Sequence, residues 1–160
     1  MSPKAMEAMA TTAGSGKELM SEIFTKVNNA KVKADKIAVL KRYDTPAMRM
    51  LLKGAFDPKV EWDLPPGVPP FIRNEAPEGT QHTWLDNEAK RLYNFIKGGN
   101  NELTKIRKET LFIQILEGLH EKDADVLIDV KNGTLNKTYK GLTSDMVKEA
   151  FGWNAEFVRP

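Results

Sequence analysis

The 160-residue chain has no cysteine and only two histidines, His82 and His120. The first absence removes disulfide frameworks, cysteine-ligated zinc, iron–sulfur clusters and thiolate nucleophiles together, and it fits a reducing compartment. The second leaves two imidazoles for any acid–base or metal chemistry. An excess of charge of one sign is also lacking: 24 Lys and Arg stand against 22 Asp and Glu, a net +2. Such a balance gives no strong bulk attraction to nucleic acid, anionic lipid or acidic substrates, so an electrostatic partner has to be read by a local patch. No segment approaches the roughly 18 uninterrupted apolar residues of a membrane span. The greasiest, Leu111 to Leu116, is interrupted by Gln114. Met1 to Ala13 contains no continuous apolar run, so neither a secretory leader nor a membrane partner is expected.

What is present suits one modest core: 41% of residues are hydrophobic and 29% charged. The stretch over 1–14 is small, Ala/Thr-rich and aromatic-free, and predicts a flexible tail before a single helical domain over 15–160. From Lys17 to Asn28, Leu19, Met20, Ile23, Phe24 and Val27 recur at helical spacing. A second helix over Lys33–Tyr43 points Ile37 and Leu40 inward and leaves Lys36 and Lys41 in water. Asp44-Thr45-Pro46 is a start signal for a third, because a capping side chain precedes a proline whose missing amide hydrogen costs nothing in the first turn. That helix runs to about Phe56, with Met48, Leu51, Leu52 and Ala55 on its inner face.

Between Asp57 and Gly79 six prolines exclude a long helix. Trp62, Phe71 and Ile72 are costly to leave in water, at roughly 1.5–3 kcal/mol for a fully buried large side chain. A proline-rich extended strap laid across the helices is therefore expected at 57–79, in preference to a free linker. The helical rhythm resumes with Leu85, Ala89, Leu92, Phe95 and Ile96 and stops at Gly98-Gly99. A longer helix over Asn101–Gly118 carries Leu103, Ile106, Phe112, Ile113 and Leu116 as core candidates, and its wide apolar arc predicts a central position. A helix over His120–Lys131, a turn and extended segment to Gly141, and a last helix capped by Thr143 complete the chain. The fold class is mainly α: a compact bundle of about six to seven helices with a proline-rich strap in the middle.

The chemistry-bearing patterns are thin. Thr11 to Glu18 has the Gly-Ser-Gly-Lys of a phosphate loop, but Thr11 stands at the first glycine position and Glu18 replaces the metal-binding hydroxyl. His120, Glu121, Asp123, Asp125 and Asp129 form the densest ligand-like cluster, yet Leu127 and Ile128 stand where a calcium loop needs a ligand and its turn glycine. Acids at a helix start with a wet face explain it more simply. His82 has no nucleophile motif beside it, and Glu61 and Asp63 alternate with Trp62 as on the wet side of an extended segment. No catalytic residue, metal ligand or cofactor is assigned.

One patch is unbalanced. Lys26, Lys31, Lys33, Lys36, Lys41 and Arg42 face Asp35 alone, and Tyr43 adjoins them as a ring on which a base can stack. These seven residues are the candidate nucleic-acid surface. The aromatic and proline residues Trp62, Pro65, Pro66, Pro69, Pro70 and Phe71 are the candidate surface for a protein partner, including a second copy of the chain.

The segments LFIQILEGLHEKDADVLIDVKNGTL (Leu111–Leu135), YKGLTSDMVKEAFGW (Tyr139–Trp153) and YDTPAMRMLLKGAF (Tyr43–Phe56) resemble an uncharacterised family of small proteins from tailed phages of marine bacteria, T4-like cyanophages and their relatives. The resemblance implies a viral protein acting in the host bacterial cytoplasm or packaged in a virion, and carries over no activity. Two functions are expected from different classes. One is a non-enzymatic phage accessory protein that engages nucleic acid or its processing machinery through the lysine-rich surface. The other is a virion structural or assembly protein acting through contacts with phage or host proteins.

Overall fold

The computed structural model describes residues 18–160. The tail expected over 1–14 and nearly all of the phosphate-loop-like stretch lie outside the described residues. The chain forms α1 (Met20–Asn29), α2 (Lys33–Arg42), α3 (Pro46–Phe56), a short α4 (Leu85–Glu88) that tightens into a 3₁₀ helix over Ala89–Phe95, α5 (Lys105–Gly118), α6 (Glu121–Asn132), a single turn α7 (Leu135–Thr138) and α8 (Ser144–Phe151). Among the described residues no strand forms, and one antiparallel bridge joins Trp62 to Ile96. The mainly α bundle with its central strap is what the sequence builds.

Local signals set most helix starts. Thr45 Oγ1 accepts from the Met48 amide at 3.1 Å with Pro46 behind it, and Thr143 Oγ1 accepts from Met146 at 3.3 Å. α5 begins later than its apolar rhythm suggests. Asn100 Oδ1 accepts from the Glu102 amide at 3.1 Å, an Asx turn that competes with helix, and Thr104 then caps through Arg107. α7 occupies a segment expected to be extended. Its turn is held by Asp129, whose carboxylate accepts from the hydroxyls of Thr134 and Thr138 at 2.6 and 2.7 Å.

The central helix is α6 rather than α5. Along α6, Asp123, Ala124, Val126, Leu127, Ile128, Val130 and Lys131 are all buried, and it packs on α1, α3, α5 and α7. α5 buries only Lys108, Phe112 and Leu116; Ile106, expected in the core, is 78% exposed, and Ile113 is half-buried. Two charged residues hide the role of α6 in the sequence. Asp123 and Lys131 count as water-facing by residue type, yet both are buried because the tertiary structure supplies hydrogen-bond partners.

The strap over 57–79 is tied down along its length. Asp63 N donates to Phe95 O at 2.7 Å, Lys97 N to Glu61 O at 2.8 Å and Ile72 N to Glu117 Oε2 at 2.9 Å. Trp62 lies between α3 and α6, its indole N–H donating to Gly54 O at 3.0 Å. The close approach requires glycine: a Cβ at Gly54 would stand 2.9 Å from Trp62 Cζ2 and 3.2 Å from Val130 Cγ1. Trp62 and Phe71 are half-buried, whereas Ile72 is 79% exposed, because the anchor at that position is its backbone.

Candidate nucleic-acid interface

The lysine-rich segment spans the end of α1, the turn and α2, and the structure divides its residues into two groups. Lys36 is not left in water. Its Nζ donates to Val27 O and Asn28 O at 3.2 and 3.0 Å and also to Ala30 O, satisfying carbonyls at the C-terminal end of α1 where the helix dipole favours a cation. Lys26 and Tyr43 are likewise engaged. Lys26 Nζ pairs with Glu18 and donates to Tyr43 Oη at 3.1 Å, and the Tyr43 hydroxyl donates to the other Glu18 oxygen. Burial acts to raise the Glu18 carboxyl, but the hydrogen bonds from Lys26 and Tyr43, with the charges of Lys26 and Arg42, outweigh it and hold the group below its ordinary value. Tyr43 is half-buried in this arrangement, and it fastens the start of α1 to the end of α2.

The second group faces water. Lys31, Lys41 and Arg42 are exposed and make no ion pair among the described residues; Lys33 meets Glu149 of α8 at 3.1 Å in a pair that is about 60% exposed on both sides. Exposed pairs of this kind contribute little, so Lys33 stays available to a phosphate. The available surface cations are therefore Lys31, Lys33, Lys41 and Arg42, while Lys26, though exposed, is engaged with Glu18 and Tyr43, and Lys36 with the carbonyls of α1.

The proline segment forms a second surface. Lys131 is 8% exposed and has no carboxylate partner among the described residues; its Nζ donates to Pro65 O, Gly67 O and Asn132 Oδ1 at 2.8, 2.6 and 2.7 Å. Burial lowers the pKa of this ammonium group. Pro65, Pro66 and Pro70 stay exposed, Pro69 and Phe71 are half-buried, and a cavity of about 270 Å³ lies between this stretch and α5, bounded by Phe112 and Ile113.

Of the remaining candidates, Asp63, His120, Asp123 and Asp129 hold the fold. In the acidic cluster, Glu121 and Asp125 face water, Asp129 holds α7 and Asp123 is buried against the start of α1. His120 Nδ1 accepts from the Lys122 amide at 3.1 Å as the cap of α6. No group of three His, Asp or Glu among the described residues is placed to hold a metal ion. Glu61 is exposed, but Asp63 is not on a wet side: it accepts from the buried Lys108 Nζ at 2.9 Å, a hydrogen bond that draws its carboxyl below the ordinary value.

His82 and Thr83 border a cavity of about 600 Å³ between the 3₁₀ helix and α5. In its wall the buried Glu88 accepts from the Thr83 hydroxyl at 2.6 Å. Sequence reasoning missed Glu88, Lys108, Asp123 and Lys131 as interior residues; for the last three nothing local marks a charged side chain whose partner lies 45, 102 or 66 positions away.

No helix among the described residues is long and apolar enough to cross a membrane. No curated protein and no solved structure matches the chain. Residues 23–137, well over half of the sequence and running from within α1 to within α7, match the model of DUF6433, a family of unknown function, and the chain belongs to that family.

Proposed function

We propose that the protein is an accessory protein that binds nucleic acid, acting on phage nucleic acid or beside its processing machinery in the host cytoplasm. The observation that supports this reading is the set of exposed cations at the two ends of α2: Lys31, Lys41 and Arg42 have no ion-pair partner among the described residues, and Lys33 has only an exposed one. Phosphate contacts of this type release condensed counterions, so affinity falls steeply as salt rises and depends little on sequence. The test is a salt series on single- and double-stranded DNA and RNA with the wild type and with Lys31→Glu/Lys41→Glu/Arg42→Glu. Lys36 is left alone because its replacement would uncap α1. Salt-sensitive binding that the triple variant loses while keeping its helicity supports the reading; no binding by the wild type at low salt overturns it.

A second reading, a structural or assembly protein, is favoured by the exposed apolar residues of the strap, Val68 at 66% and Ile72 at 79%. It predicts that the protein is present in purified virions or forms a stable complex with a phage protein, and that Val68→Ser/Ile72→Ser releases it.

A further inference from the structure

The C-terminal segment carries no charge run and no motif, only the apolar residues Phe151, Trp153 and Phe157. In the folded chain these rings form one row, with centroids 5.0 Å apart for Phe151–Trp153 and 6.0 Å for Trp153–Phe157. Three cations stand over it, one to a ring. The Arg49 guanidinium is 6.0 Å from the Phe151 centroid, Lys53 Nζ is 5.3 Å from that of Trp153, and Lys148 Nζ is 5.3 Å from that of Phe157. Two more cations reach the same segment, Arg159 through its bond to Phe151 O at 3.3 Å and Lys59 through its bond to Glu156 O.

Of the nearby acids, only Asp44 neutralises a member of this group, Arg49. Asp44 pairs with Arg49 at 2.6 Å, Asp145 approaches Lys148 only to 3.7 Å with its side chain 87% exposed, and Glu149 is directed to Lys33 of α2. Glu156 is exposed. Lys53, Lys59 and Arg159 make no ion pair among the described residues. An aromatic face holds an ammonium group in place by its quadrupole without cancelling its charge, so Lys53 and Lys148 are positioned and still electropositive. Asp44, two residues beyond the end of α2, reaches this face through its pair with Arg49. The bond from Arg49 holds the Asp44 carboxyl low against the effect of burial, with the charges of Arg49 and Arg159 adding to it, and Asp44 follows Lys41, Arg42 and Tyr43 directly in the chain.

We propose that Trp153 with Lys53, Lys148 and Arg159, backed by the buried Phe151 and Phe157, is the second half of the interface and selects single-stranded nucleic acid, the cations taking backbone phosphates and the half-exposed Trp153 ring taking an unpaired base. The assignment rests on the nucleic-acid reading above. It explains why cations are gathered on rings: cations beside aromatic faces suit a strand whose phosphates and bases are both accessible, whereas a duplex offers its bases only within the grooves.

The experiment is fluorescence anisotropy with a labelled single-stranded DNA or RNA 20-mer, the matching duplex and anionic vesicles, across a salt series. The proteins are wild type, Lys53→Glu/Lys148→Glu, Trp153→Phe and the Lys31/Lys41/Arg42 triple variant, each checked for helicity. Expected results are preference for the single strand and at least about tenfold weaker binding by Lys53→Glu/Lys148→Glu at low salt. The log-affinity against log-salt slope should be shallower by about 1.4 for two lost phosphate contacts. Tryptophan quenching by the oligonucleotide should be lost in Trp153→Phe. The inference is overturned, with the nucleic-acid reading intact, if only the triple variant loses binding, or if duplex and single strand bind alike and Trp153 emission is unmoved. Preference for vesicles over the single strand overturns it as well, and absence of wild-type binding to any nucleic acid overturns both.

Discussion

The start of α1 depends on a residue more than a hundred positions away. The Met20 and Ser21 amides lie in its first turn, where no intrahelical acceptor exists, and the residue in the capping position is Leu19, whose side chain accepts nothing. Asp123 of α6, 1% exposed, supplies the missing acceptors: Oδ1 lies 2.9 Å from Ser21 N and Oδ2 3.3 Å from Met20 N. Replacing it with Ala leaves two buried donors unpaired, at about 1–3 kcal/mol each, partly offset because a buried charge is also removed. We expect Asp123→Ala to lose about 2–4 kcal/mol, a fall of about 4–16 °C in Tm for a chain of this size.

Burial raises the Asp123 carboxyl above its ordinary value, against the bonds from Ser21 and Met20 and the charge of His120. A raised folded value means that the folded chain keeps a proton the unfolded chain has lost. The stability from this group is full below the ordinary carboxylate range and declines as pH rises through the folded value. The advantage of the wild type over Asp123→Ala should therefore widen as pH is lowered from 7 through that value. Urea unfolding followed by far-UV circular dichroism at several pH values measures both effects. An Ala variant within about 0.5 kcal/mol of wild type at pH 7, or a gap that narrows on acidification, would refute the reasoning.

Two other predictions concern α5. Phe112→Ala should cost about 3–5 kcal/mol, because that ring is buried and packs edge-on against Phe95 at 5.4 Å, whereas Ile106→Ser should fall within about 0.5 kcal/mol of wild type in the same urea assay. Asp63, whose carboxyl is lowered first by the hydrogen bond from Lys108, should stabilise the fold above the ordinary carboxylate value, with that contribution lost as pH falls through the lowered folded value. Asp63→Asn should flatten the acid limb of a stability–pH profile, and a limb left unchanged would argue against the pair.

The helices are legible in the sequence wherever a local signal and an apolar period agree. Thr45-Pro46 and Thr143 start α3 and α8 as their hydroxyls and the proline ring dictate, and Asn132-Gly133 ends α6 with Gly133 in a left-handed conformation at φ 70°. The prolines likewise exclude helix over the strap, because ring closure fixes the backbone without reference to anything distant. The candidate site was only partly readable. A count of lysines between Lys26 and Arg42 is a property of the sequence, but Lys36 lies close enough to the α1 carbonyls to be consumed by them only after α1 and α2 pack.

Composition and periodicity by themselves determined that the chain is helical, where most helices start and stop, and that cysteine chemistry is absent, since these follow from bonds within a few residues and from residue type. Tertiary structure alone decided which charges are interior, which helix is central and which cations stay exposed and unpaired among the described residues. Burial of Asp123, Lys108 and Lys131, and the gathering of Arg49, Lys53 and Lys148 on the C-terminal rings, depend on partners that are distant in sequence and become neighbours only when the helices close on one another.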